Sequence, residues 1–100
     1  MKNISPIELQ KILAENPQAT LIDVRTPVEF AEVHVPQAKN IPLDELNPAA
    51  LSLDKNLPVY LLCRSGQRAT KAAEKLAKEN FLQPVVVTGG TLAWIEANLR

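Results

Sequence analysis

Pro58-Val59-Tyr60-Leu61-Leu62-Cys63-Arg64-Ser65-Gly66-Gln67-Arg68 is the stretch on which the reading of this chain turns. Residues 58–62 are apolar without alternation and of strand length, the pattern of a strand buried on both faces. A short loop with one glycine follows. From Arg68 to Asn80 the apolar residues Ala69, Ala72, Ala73, Leu76 and Ala77 recur at the spacing of one helix face, which predicts a helix with a buried stripe and Asn80 as its C-terminal cap. A buried strand that passes through a tight loop into an amphipathic helix is part of a βαβ unit, and such units build parallel sheets.

The rest of the chain repeats the theme. Ser5-Pro6-Ile7-Glu8 carries the signs of a helix start: a capping serine, proline at the first helical position and glutamate to close a capping box. That helix is predicted to run to about Glu15, with Leu9, Ile12 and Leu13 on one face, and Asn16-Pro17 ends it. Thr20-Leu21-Ile22-Asp23-Val24 reads as a second buried strand. Thr26-Pro27-Val28-Glu29 repeats the capping signature, and Asn47-Pro48 opens another brief helix. Between them, His34 to Pro42 is predicted to be loop with one short extended piece. Val85-Val86-Val87-Thr88 is a third strand. After Gly89-Gly90 the chain turns into a final helix carrying Leu92, Trp94, Ile95 and Leu99. The expected architecture is α/β: a small, mainly parallel central sheet covered by helices on both faces. In such sheets, sites form at the carboxyl ends of the strands. Those ends are Asp23-Val24-Arg25, Cys63-Arg64-Ser65-Gly66 and Thr88-Gly89-Gly90.

The chain has 100 residues, a single-domain length, so residues 1–100 are expected to form one domain. A chain of this size buries roughly 65% of its unfolded surface, enough for one core without staples. Eleven basic and eleven acidic residues cancel, so the expectation is no nucleic-acid partner and no contact of this domain with a membrane. One cysteine and one histidine are too few for a structural zinc site, and a lone cysteine forms no internal disulfide, so no metal is expected. The N-terminal residues lack the apolar run of a signal peptide, which makes the cytoplasm the expected compartment. The chain stops at Arg100 without a tail, in keeping with a domain cut from a longer protein.

The chemistry points to Cys63. Successive backbone N–H groups in a turn of this kind make an anion-binding nest. The following helix contributes its positive N-terminal end, and Arg64 and Arg68 add full charges. A cysteine at the base of such a cradle is favoured as thiolate, which is the nucleophile. The three glycines, at 66, 89 and 90, all fall in strand-to-helix turns, where they give the backbone shapes that side chains resist.

Four motifs in order resemble the rhodanese family. Leu21-Ile22-Asp23-Val24-Arg25-Thr26-Pro27-Val28-Glu29-Phe30 is similar to its first signature, and His34-Val35-Pro36-Gln37-Ala38-Lys39-Asn40-Ile41-Pro42-Leu43 to its second. Cys63-Arg64-Ser65-Gly66-Gln67-Arg68 resembles its active-site loop, and Val87-Thr88-Gly89-Gly90-Thr91-Leu92-Ala93-Trp94 its closing motif. Val33 and Gln37 stand where the family usually has glycine, which predicts altered local loop geometry and not lost chemistry. The resemblance implies a rhodanese-like fold with Cys63 as catalytic nucleophile. Arg64, Ser65, Gly66, Gln67 and Arg68 would then form the substrate-binding cradle. Cysteine phosphatases share the general design but place one more residue between cysteine and arginine. The shorter loop suits a single sulfur atom better than a tetrahedral phosphate.

The activity so implied is that of a rhodanese-type sulfurtransferase. A small anionic sulfur donor such as thiosulfate loads Cys63 as a persulfide, and a thiol, a protein acceptor or cyanide removes the outer sulfur. No cofactor is called for, because polarisable sulfur does the chemistry. The alternative is a non-catalytic sulfur-carrier or protein-interaction module, part of a larger and even membrane-anchored protein. Among the other residues, Asp23 and Arg25 are expected to form an ion pair. Glu29 is expected to serve as the capping partner of Thr26, His34 as a locally satisfied loop residue and Trp94 as core. Arg68 is expected to reach across the loop to its backbone carbonyls, and Arg64 to attract an anionic donor or remain solvated.

Overall fold

A computed structural model of the protein describes residues 2–64 and 66–97. Five strands form one parallel sheet in the order β1-β5-β4-β2-β3, with β1 at Lys2–Ile4, β2 at Thr20–Asp23, β3 at Lys39–Asn40, β4 at Val59–Leu62 and β5 at Pro84–Val87. The helices are α1 (Pro6–Glu15), α2 (Pro27–Glu32), α3 (Gln67–Lys78) and α4 (Gly90–Glu96). The α/β reading holds. Two pieces escaped it: β1, whose three residues carry too little pattern to read, and a 3₁₀ turn at Leu43–Glu45. The brief helix predicted at Asn47-Pro48 is a 3₁₀ turn at Pro48–Ala50.

Alternation along the buried strands divides the core in two. Val59, Leu61 and Cys63 point to the side covered by α3, where they meet Ile22, Val24, Val86 and the helix stripe Ala69, Ala72, Ala73 and Leu76. Tyr60 and Leu62 point to the other side, with Leu21, Val85, Val87, Leu9 and Leu13 of α1, and Trp94 of α4. Ala77, assigned to the buried stripe by its spacing, is exposed. It falls in the last turn of α3, beside the buried Leu76. Of the apolar residues predicted to be carried by α4, Trp94 is in the core, while Leu92 and Ile95 are more than two-fifths exposed. Leu99 lies outside the described residues.

Both capping boxes form as the sequence predicts. Ser5 accepts from the Glu8 amide and Glu8 from the Ser5 amide, and Thr26 and Glu29 do the same at α2. Asn80 sits just past the end of α3 in the left-handed region, φ 67°. There its amide donates to the Ala77 carbonyl and the Phe81 amide to that of Leu76, a Schellman closure that brings Phe81 into the α3-side core.

The parallel register sets the ends of β2, β4 and β5 side by side: Ile22 pairs with Leu61, and Leu61 with Val86. The pairing continues one step past β2, where the Val24 amide donates to the Leu62 carbonyl at 2.8 Å. Cys63 therefore leaves the sheet between two neighbours, at the edge where strands give way to helices.

Candidate active site

The cysteine itself is the end of a buried strand. Its residue is 1% exposed, and its Sγ accepts a hydrogen bond from the Gly66 amide at 2.8 Å. Gly66 can direct its N–H back at the sulfur because it holds φ 114°, which side-chain-bearing residues rarely adopt. Gly66 is also the N-cap of α3. Its carbonyl accepts from both the Thr70 amide, at 3.0 Å, and the Thr70 hydroxyl, at 2.9 Å.

A second helix start holds the other side of the loop. The Thr91 amide donates to the Cys63 carbonyl at 2.8 Å, and the Leu92 amide to the Arg64 carbonyl at 3.3 Å. In a trans peptide the carbonyl of one residue and the N–H of the next point in opposite directions. Tying the Cys63 carbonyl to α4 therefore turns the Arg64 amide away from α4. Gly90 makes this close approach possible. It holds φ 57°, and a Cβ there would run into the carbonyl oxygen of Cys63. Gly66 thus aims an amide at sulfur and Gly90 lets the loop carbonyls reach the start of α4, while Gly89, at φ 72°, makes the turn into that helix against Ala93.

Charges around the loop are paired, one pair as the sequence suggests and one that it does not reveal. Asp23 and Arg25 are almost fully buried and form a bidentate pair, with Arg25 Nη2 at 2.8 Å and Nε at 3.0 Å from the carboxylate. The same guanidinium donates to the Glu29 carbonyl at 3.3 Å and the Val33 carbonyl at 2.7 Å, fastening both ends of α2 to the sheet. Asn40 donates its side-chain amide to the Asp23 and Arg25 carbonyls, both at 3.0 Å. Arg68 does not reach for the loop carbonyls as expected. Its two terminal nitrogens grip the Glu29 carboxylate at 2.7 and 2.9 Å. A carboxylate offers a planar guanidinium two charge-assisted bonds, which neutral carbonyls do not match. Glu29 is thus both capping partner of Thr26 and anchor of Arg68, and its place in a capping box hid the second role.

Of the remaining residues, His34 is exposed, stacks on Phe30 and places Nδ1 2.7 Å from the Phe30 carbonyl, a locally satisfied histidine as expected. Trp94 is core. Arg64 and Gln67 are exposed, and Ser65 lies outside the described residues. Beside the loop opens a cleft of about 250 Å³ lined by Arg25, Glu29, Glu32, Val33, Arg64 and Leu92. Glu32 carries no motif signal, and Val33 and Leu92, though they fall in or beside the motifs, are not marked by them as cleft residues; only the fold brings the three together.

The Arg68 bonds, with smaller help from Thr26, hold the Glu29 carboxyl down at about 2, against an ordinary 4.5. The same carboxylate raises Arg68 above the usual guanidinium value, and the charges of Cys63 and Asp23 add to the effect. A carboxyl depressed on folding stabilises the fold fully above its unfolded value and loses that contribution as pH falls through the folded one. The Glu29 contribution is therefore expected to be complete above about pH 4.5 and to vanish between there and about pH 2. The pair is partly solvated, its side chains 32% and 27% exposed, so it is worth about 1 kcal/mol. In urea titrations Glu29→Gln should cost that amount at pH 7 and nothing near pH 2. A difference that persists undiminished at low pH would show that the bridge does not carry it.

Against known proteins, a family model described as Rhodanese-like domain matches residues 5–97. A putative sulfurtransferase, YtwF, of Bacillus subtilis is 34% identical over 94% of this chain and 90% of its own length. A crystal structure of a rhodanese-like domain protein from Staphylococcus aureus superposes with a TM-score of 0.85 at 37% identity, covering 94% of this chain and 91% of that one. A putative sulfur carrier protein of Bacillus subtilis, YrkF, is 34% identical over 74% of this chain but only 40% of its own length. The chain spans 53% of a Synechocystis relative and 24% of a mycobacterial adenylyltransferase/sulfurtransferase. This chain belongs to the rhodanese-like domain family, in which sulfur transfer is the recurring chemistry of the named relatives. No helix among the described residues is long and apolar enough to cross a membrane.

Proposed function

We propose that the protein is a sulfurtransferase that carries sulfane sulfur on Cys63. The observation that supports it most is the Gly66 amide directed at Cys63 Sγ, in a loop whose carbonyls are held outward by α4. An amide that donates to a thiolate donates as well to the sulfur chain of a persulfide, so the loop serves both states without rearrangement. In the first half-reaction the Cys63 thiolate attacks the outer sulfur of a donor such as thiosulfate. The donor's S–S bond breaks, a new one forms to Cys63, and sulfite leaves with the electron pair. In the second, an acceptor thiolate or cyanide attacks the outer sulfur of the persulfide and the Cys63 thiolate departs. In this reading the Gly66 amide and the Arg64 charge contribute to the cradle, with Ser65 and Gln67 as its proposed further members, while Arg68 acts through Glu29.

Mass spectrometry tests the first step. After exposure to a sulfane donor the intact protein should be one sulfur atom heavier, and dithiothreitol should remove the increment. An unchanged mass across thiosulfate and persulfide donors would end the proposal.

A second reading, a sulfur-carrier module that exchanges with one docked partner, draws support from the depth of Cys63 and from relatives in which the matching stretch is only part of the chain. Turnover with a small donor and a small acceptor separates the two. A catalyst passes many equivalents of sulfur, whereas a carrier loads once and stops.

A further inference from the structure

The charges at the mouth of the loop bear on which donor the site takes. Three guanidiniums stand there, and two are already committed: Arg25 to Asp23 and Arg68 to Glu29. Arg64 is exposed and has no carboxylate partner among the described residues. Lining the same cleft is Glu32, also exposed and without a cation partner among them. Among the residues lining that cleft, Arg25 and Arg64 are balanced by Glu29 and Glu32, so apart from the Cys63 thiolate, which meets every donor alike, the mouth is neutral. The balance of its lining is apolar: Val33 and Leu92, 46% and 43% exposed, form walls of the cleft beside the loop.

A neutral mouth gives a dianion little help. Net positive potential speeds capture of anions, and its absence removes that gain. Apolar walls favour instead a carrier group that gains by leaving water. Resting on the sulfur-transfer reading above, we infer that the preferred donor is not thiosulfate but a thiol persulfide with an uncharged, apolar carrier group. The carrier group lies against Val33 and Leu92, and the outer sulfur reaches Cys63. The step balances without a further reactant. The Cys63 thiolate attacks the outer sulfur of R–S–SH, the S–S bond breaks, and RS⁻ leaves with the electron pair while Cys63 becomes the persulfide.

The test is kcat/KM for two donors with one acceptor: thiosulfate, and the persulfide of benzyl mercaptan. The wild-type protein should favour the persulfide by about tenfold or more. Because persulfides are intrinsically reactive, variants decide the matter. One charge about 8 Å from a dianion, screened at physiological salt, is worth roughly a factor of two to three. Glu32→Gln should raise kcat/KM for thiosulfate by that factor, Glu32→Lys by roughly its square, and neither should change the value for the benzyl persulfide. Leu92→Asn should lower the benzyl persulfide value roughly three- to tenfold and spare thiosulfate. The thiosulfate rate should be insensitive to salt in the wild type and fall with salt in Glu32→Lys. A wild type that prefers thiosulfate, or whose thiosulfate rate already falls with salt, would overturn the inference while leaving sulfur transfer intact. Glu32 variants that shift both donors alike would do the same. Failure of either donor to load Cys63 would instead remove the sulfur-transfer reading, and the inference with it.

Discussion

Cys63→Ser is expected to abolish sulfur transfer, with turnover falling by about four orders of magnitude or more, to the uncatalysed background. The reaction passes through a covalent bond to this sulfur, and a serine oxygen neither attacks sulfane sulfur usefully nor stores it. The protein has no second thiol to substitute. The loss should not come from unfolding. Cys63 is held by its backbone, through the Thr91 amide on its carbonyl, and a serine hydroxyl fills slightly less space while still accepting from the Gly66 amide. Circular dichroism and the urea midpoint should therefore stay close to wild type while the mass increment disappears. Residual activity within tenfold of wild type would show that sulfur passes elsewhere and that the cradle around Cys63 is only a way of packing a strand end.

Asp23→Ala should be the most damaging substitution for stability, costing about 3–5 kcal/mol, because it leaves the Arg25 guanidinium buried without its counter-ion. Arg25 is 4% exposed and Asp23 0%, so water cannot replace the lost partner. Most small domains have only about 5–15 kcal/mol in all, so the variant should be largely unfolded in mild denaturant. The test includes a second variant. Replacing both residues with apolar ones, as in Asp23→Ala with Arg25→Met, removes the stranded charge and should recover at least half of the loss. The recovered fold should still transfer sulfur poorly, since α2 would no longer be fastened through the Glu29 and Val33 carbonyls. A cost under about 1 kcal/mol for Asp23→Ala would mean that Arg25 escapes to solvent and that the pair does not organise this edge of the site.

Most of the architecture could be read along the chain because its signals are local. A capping box is a relation between residues three apart, and Ser5 with Glu8 and Thr26 with Glu29 declared the starts of α1 and α2 without reference to anything distant. The non-alternating, largely apolar runs at 20–24, 58–62 and 85–87 declared strands covered on both faces, and hence a parallel sheet. Cys63 followed by a loop with one glycine and then a helix is also local, which is why the candidate nucleophile was found. β1 was missed because its three residues gain strand character only by pairing with β5 at the far end of the chain.

The charge state of the site belongs to the other kind of information. Arg68 lies 39 residues from Glu29, and nothing in either neighbourhood says that they meet. Counted along the chain, Arg64 and Arg68 make a positive loop. Folded, the second is neutralised, and Glu32 comes to line the same cleft as the first. In the same way Gly90 reads as one more turn glycine, until α4 is seen to hold the Cys63 and Arg64 carbonyls with its first amides. The physical reason is the reach of the interactions. Periodicity and caps are set over a few residues of chain, whereas ion pairs and carbonyl ties form between groups that only sheet order and helix packing bring within 3 Å.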